Sequence, residues 1–192
     1  MKLKILLETV TALTLIGCGG GGSGTDPVEY VPYDAPAISA AEKAEFLDAV
    51  NDARAVGRTC GKYGYMDAVP PLKWDDRLYR AAYEHSYDMA ETSHYDHSGS
   101  GKDSDWTAQV LDLNRGSTSY ERGHNNGILN MGIGENIDVY DLTTDEHMQR
   151  WLNSEEHCSM IMDARVTLFG MAHVENSESQ YGSYWTQTFG AE

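Results

Sequence analysis

After residue 39 the apolar positions fall into a helical rhythm. Phe46, Leu47, Val50 and Ala53 recur three and four apart, with Glu45, Asp48, Asp52 and Arg54 between them, the pattern of an amphipathic helix. Ser39 followed by Glu42 is a capping box that starts it, and Gly57 ends it. A second stripe, Leu78, Ala81, Ala82, His85 and Met89, follows Asp75, whose carboxylate can cap a helix; His85 on that face is expected to be buried. Residues 91–127 are polar and glycine-rich, predicting one short helix over 106–113 and then a loop. Residues 128–139 alternate loosely. Thr143 and Glu146 form a second capping box, opening a helix through Met148, Trp151 and Leu152. Ser154 is expected to cap a further short helix, with Glu155 and Glu156 in its first turn, where the dipole favours acids. The β-rich runs 166–174 and 181–189, joined by the polar turn ENSESQ, predict a hairpin. Helices early and strands late indicate an α+β domain in which helices cover an antiparallel sheet.

The N-terminus stands apart from this pattern. Lys2 and Lys4 precede an apolar run over residues 5–16, and Leu15-Ile16-Gly17-Cys18 closes it, which predicts an export signal over 1–17. The Leu-x-Gly-Cys ending resembles the lipobox of bacterial lipoproteins, and lipidation of Cys18 would hold the protein at a membrane surface without spanning it. Residues 18–38, with GGGGSG and then three prolines, predict a flexible linker, with Tyr30, Val31 and Tyr33 expected along the domain surface, and the folded domain is expected over 39–192.

Charge and cysteines narrow the function. Of 192 residues, 14 are Lys or Arg and 30 are Asp or Glu, a formal net charge of -16. Nucleic-acid binding rests on neutralising phosphates, so such a surface excludes it; the same acidity keeps an exported protein soluble. With Cys18 assigned to lipid, Cys60 and Cys158 remain, an even pair that in an exported protein predicts a disulfide. Two buried thiols, or a metal site using Cys158, are the alternatives.

Several segments then stand in a familiar order: FLDAVNDAR at 46–54, PPLKWDDRL at 70–78, HSYDMA at 85–90, Tyr95-x-His97, and Gly134-Glu135-Asn136-Ile137. Trp151-x-Asn153-Ser154 with His157 follows, then a strand holding Gly170, and finally Tyr184-Trp185-Thr186-Gln187 with Phe189-Gly190. The series resembles the CAP superfamily (cysteine-rich secretory proteins, antigen 5 and pathogenesis-related proteins; the SCP domain), nearest its bacterial branch, over about 40–190. The resemblance implies a three-layer α-β-α sandwich with a central antiparallel sheet. It also implies a concave cleft lined by two histidines and acidic residues, where some members bind a divalent metal. The matching positions are His97, Glu135 and His157, which would suit Zn²⁺ or a similar ion, with Asp96, Ser154 and Glu156 as supporting groups. Two departures stand out. Ser154 occupies a position where many eukaryotic members carry glutamate. Cys158-Ser159-Met160-Ile161-Met162 replaces the common bacterial Arg-x-Asn-Ile-Leu, which fits a bridge from Cys158 to Cys60.

Taken by themselves, His97, Glu135 and His157 have no metal-binding spacing, and a hydrogen-bonded cluster joining two helices and a loop is the plain alternative. His124, His147 and His173 are expected at the surface. No Gly-x-Ser-x-Gly elbow and no His-Glu-x-x-His pair is present. The sequence therefore leans away from an enzyme, toward a membrane-anchored binding domain of the cell envelope whose cleft takes a divalent metal, a small ligand or an envelope component. A metal-assisted hydrolase acting on peptide or cell-wall material and a lipid or sterol carrier are the competing functions.

Overall fold

A computed structural model describes residues 30–129 and 132–191. The expected signal peptide, Cys18 and the first part of the linker lie outside the described residues.

Local capping chemistry sets the helix starts. Helix α1 (Ala40–Arg54) begins where the Ser39 hydroxyl accepts the Glu42 N–H, and it stops at Ala55, two residues short of Gly57. A two-strand ladder, β1 (Arg58–Thr59) with β2 (Tyr65–Met66), carries the loop that holds Cys60. After the short strand β3 (Lys73–Trp74), Asp75 accepts the N–H groups of Arg77 and Leu78 and starts α2 (Asp76–Thr92). Helix α3 (Trp106–Val110) is shorter than expected. Helix α4 (Ser119–Asn125) replaces the expected loop; it is opened by a reciprocal capping box between Thr118 and Glu121. Strand β4 (Gly134–Val139) leads to α5 (Thr144–Asn153), capped by Thr143 and Glu146 as expected, then to α6 (Glu155–Ile161). The chain closes with the hairpin β5 (Leu168–Asn176) and β6 (Gly182–Gly190).

The main sheet runs β3-β5-β6-β4. Its three long strands are antiparallel, and the two-residue β3 joins the edge in parallel to β5. Alternation along each strand sends side chains to two helical layers. On one face Phe169, Met171, Trp185 and Phe189 pack with Phe46 and Val50 of α1, Met148 and Trp151 of α5, and Cys158 and Ile161 of α6. On the other face α2 covers the sheet, pairing Leu78 with Leu168, Ala82 with Ala172, and Met89 with Ile137 and Tyr184. Gly170 permits that approach: a Cβ there would stand 2.2 Å from the Tyr79 backbone nitrogen. The result is the expected α-β-α sandwich.

Two long-range ties complete it. Cys60 and Cys158 form a disulfide, with Cα atoms 5.4 Å apart and a sequence separation of 98, pinning α6 to the loop after α1. Residues 30–38, expected as linker, lie on the domain. Val31 exchanges hydrogen bonds with the Asn125 amide (3.0 and 2.9 Å), the Tyr33 N–H donates to Asn126 (2.9 Å), and the Tyr33 ring stacks on Tyr83.

Candidate functional site

Strand β4 is the far edge of the sheet, and its alternation splits the site. Glu135 points to the α2 side; Asn136 and Asp138 point toward α5 and α6. Glu135 has only 3 % of its side chain exposed and is bonded through both oxygens: Oε1 accepts from His97 Nδ1 (3.0 Å), and Oε2 from Arg122 Nη2 on α4 (2.7 Å). Burial opposes the charge on Glu135, but Arg122, His85 and His97 outweigh it and hold the carboxyl at about 2. Since a carboxylate only accepts, Nδ1 of His97 carries a proton, and the bond to Glu135 raises the pKa of His97.

His85 is buried, as expected. Burial, helped by Arg122, takes it down to about 3, so it is neutral and donates Nε2–H to the Asp96 carbonyl (3.0 Å). Asp96 thus serves through its backbone, while its carboxylate accepts from the Ser98 N–H and hydroxyl and shapes the turn. Arg122 also donates to the His97 and Ser117 carbonyls, clamping the turn that presents His97. Sequence reasoning missed Arg122. The Thr118–Glu121 capping box was the available signal for its helix, but α4 has no apolar stripe to reinforce it.

On the other side of β4 lies a cleft of about 360 Å³, lined by Tyr95, Ile137, Asp138, Arg150, Trp151, Asn153, Ser154 and His157. Its volume falls in the range of small-molecule sites, ~300–1,000 Å³. Asp138 forms its base, accepting from Arg150 through Nε (2.6 Å) and Nη2 (2.8 Å) and from His147 Nδ1 (2.8 Å). Burial works against ionisation of Asp138, yet His147 and Arg150 hold it at about 2. His147, expected at the surface, is fully buried against Trp151 and Trp185 because it shares a helix face with Trp151.

His157 faces this cleft. Desolvation, then the charge on His97, lowers its pKa. Two expectations need correction. Ser154 stands at the N-cap position of α6, but its hydroxyl makes no capping bond; it lines the cleft instead. Glu156 is turned away from the site, with its carboxylate paired to Lys62.

The structure therefore joins His97 to Glu135 directly and relates His157 to them only through the electrostatic field of His97. Among the described residues no three His, Cys, Asp or Glu side chains stand together to hold a metal ion. The Arg122 cation occupies one oxygen of Glu135 and His97 the other. A larger groove, of about 540 Å³, lies between β2 and the segment after α6; of its charged residues, Asp163 and Arg165 are paired with each other.

Similarity to known proteins runs through this same frame. The model of the cysteine-rich secretory protein family, CAP, matches residues 47–189. The uncharacterized protein YkwD of Bacillus subtilis is 30 % identical over 121 residues, which cover 63 % of this chain and 40 % of YkwD; the chain thus spans well under half of that relative's length. Among solved structures, an outer surface protein of Borrelia burgdorferi superposes with a TM-score of 0.54 at 17 % identity, covering 77 % of this chain and 93 % of its own. An SCP-domain extracellular protein of Bacillus anthracis gives 0.53 at 19 % identity, over 82 % of this chain and 45 % of its own. At these identities the two structures bear on the fold. No helix among the described residues is long and apolar enough to cross a membrane.

Proposed function

The chain belongs to the cysteine-rich secretory protein (CAP) family, and from that footing we propose that it is an exported, lipid-anchored binding module rather than an enzyme. Its ligand is a small molecule or envelope component held in the cleft between β4 and the α5–α6 junction, with His157 at its wall. One observation carries this reading. Glu135, the carboxylate bonded to His97, is buried and saturated by Arg122 and His97. It cannot serve as a general base, and it orients His97 instead, as carboxylates behind functional histidines do. An ion would find only His97 and His157 as protein ligands, a weak donor set for Zn²⁺.

Export is supported by the Leu-x-Gly-Cys segment, by the Cys60–Cys158 bridge, which suits an oxidising compartment, and by the extracellular or outer-surface descriptions of two proteins with this fold. The test is an assay of the purified protein against peptide and peptidoglycan substrates, with and without Zn²⁺, beside His97→Ala. No turnover is expected, and Zn²⁺ should bind no tighter than about 1 μM. Turnover that disappears in His97→Ala would overturn the reading in favour of a metal-assisted hydrolase.

A further inference from the structure

Around the cleft, local structural conventions are broken repeatedly, and the breaks point at one kind of ligand. Ser154 sits where a hydroxyl ordinarily caps a helix, yet it makes no cap bond. The Asn153 amide beside it, the His157 ring and Arg150 Nη1 make no hydrogen bond to the described residues, so several two-way or donating polar groups converge on one space. The most telling break is Tyr140, at the end of β4, with φ +91°. A bulky aromatic residue there is an outlier in a region that favours glycine. The conformation is locked: Tyr140 N–H donates to Ser183 O (3.0 Å), and its carbonyl accepts from Trp185 Nε1 (3.1 Å) and Leu142 N–H (3.2 Å).

Strain of this kind persists where a side chain is used, and the ring of Tyr140 is displayed. It is 46 % exposed, lies beneath the Arg150 guanidinium (5.4 Å), and meets Tyr181 edge-on (5.6 Å). Tyr181 in turn meets Tyr95 (5.8 Å), which is exposed and lines the cleft. Tyr95 lines the cleft, and Tyr181 and Tyr140 continue from it as a row of edge-to-face rings, an aromatic ledge beside the cleft.

We propose that this cleft and ledge form a saccharide-binding site for a neutral pyranose unit of a glycan. The inference rests on the binding-module reading and names its ligand class. A pyranose has an apolar C–H face and a rim of hydroxyls that both donate and accept. The ledge offers the first an aromatic surface; Arg150, Asn153, Ser154 and His157 offer the second a matching set of partners. Other occupants fit less well. The net charge of -16 opposes polyanions. An extended peptide adding to the edge of β4 would need the Ile137 carbonyl, which already accepts from Trp151 Nε1 (3.1 Å) and Tyr95 OH (3.3 Å). A lipid would find one wall of the cleft lined by charged and amide groups.

The test uses the purified disulfide-bonded protein, titrated with chitotetraose and cellotetraose by NMR and calorimetry, with heparin, an unstructured peptide and phospholipid vesicles in parallel. A neutral oligosaccharide should shift Tyr95, Tyr140 and His157. Tyr140→Gly should weaken binding about tenfold or more while leaving the melting temperature unchanged or raised, because glycine relieves the backbone. Ser154→Ala should weaken binding without loss of fold. No response to either oligosaccharide, binding undiminished in Tyr140→Gly, or binding only of heparin, peptide or vesicles overturns the proposal. Its fate is separable from the non-enzymatic reading: saccharide that binds at the ledge and is then cleaved would leave the site standing and remove only that reading.

Discussion

Glu135 shows how one buried carboxylate can be kept ionised and to what use. It has given up contact with water for two charged or chargeable partners, and the bond that keeps it ionised also fixes which way the His97 ring faces. Its pKa of about 2 lies below the ordinary 4.5, so its stabilising effect is complete above about pH 4.5 and is lost as pH falls through 2. Linkage over that interval amounts to about 3 kcal/mol. Urea denaturation at a series of pH values should show the wild type losing stability between about pH 5 and 2. Glu135→Gln should be less stable at pH 7, and its difference from wild type should shrink by about that amount at the acid end. Equal acid limbs in the two proteins would show that Glu135 is not held ionised. Buried Glu84 contributes in the opposite sense. Burial raises it to about 7, so stability falls as pH rises from 4.5 toward 7.

At the scale of elements, α6 depends on covalent help. It is seven residues long, has no side-chain cap, and carries the histidine that faces the cleft. Cys158, next to that histidine, is bonded to Cys60, and the neighbouring ion pairs of Lys62 with Glu155 and Glu156 are exposed and weak. Replacing both cysteines by serine should lower the unfolding free energy by about 4–5 kcal/mol, the loop-closure value for a bridge across about 100 residues. It should also raise hydrogen exchange in α6 well before α2 is affected. A double variant whose α6 exchanges no faster than wild type would show that the bridge does not hold the helix. Elements announced by local chemistry were legible in the sequence: the caps at Ser39, Asp75 and Thr143, and the hairpin of alternating residues. Helix α4 was not, because it buries Arg122 and Asn125 in place of an apolar stripe. Ser154 misleads for a related reason: the sequence announces a cap, but only the fold shows the hydroxyl at the cleft.

For the molecule as a whole, ordered matching segments disclosed the sandwich and named His97, Glu135 and His157, of which the fold bonds the first two to each other. The third member of that bonded cluster, Arg122, is joined to them only by folding. His147 reads as a surface residue until the fold supplies its partner Asp138. The stretch 30–38 reads as linker because its prolines break any period; its tyrosines suggest contact with the domain, but the partners on α2, α3 and α4 are supplied only by folding. Since Asn125, Asn126, Tyr79 and Trp106 all bond to that stretch, removing it should cost about 2–4 kcal/mol. Chemical denaturation of a chain beginning at residue 39 measures this directly; unchanged stability would mean that the stretch merely rests on the surface.

The coverage of β4 has a further consequence. An open sheet edge is a template on which neighbouring molecules can polymerise. Trp151 and Tyr95, by both donating to the Ile137 carbonyl, remove that acceptor from pairing with another strand. The side chains that shape the cleft thereby also guard the fold against aggregation.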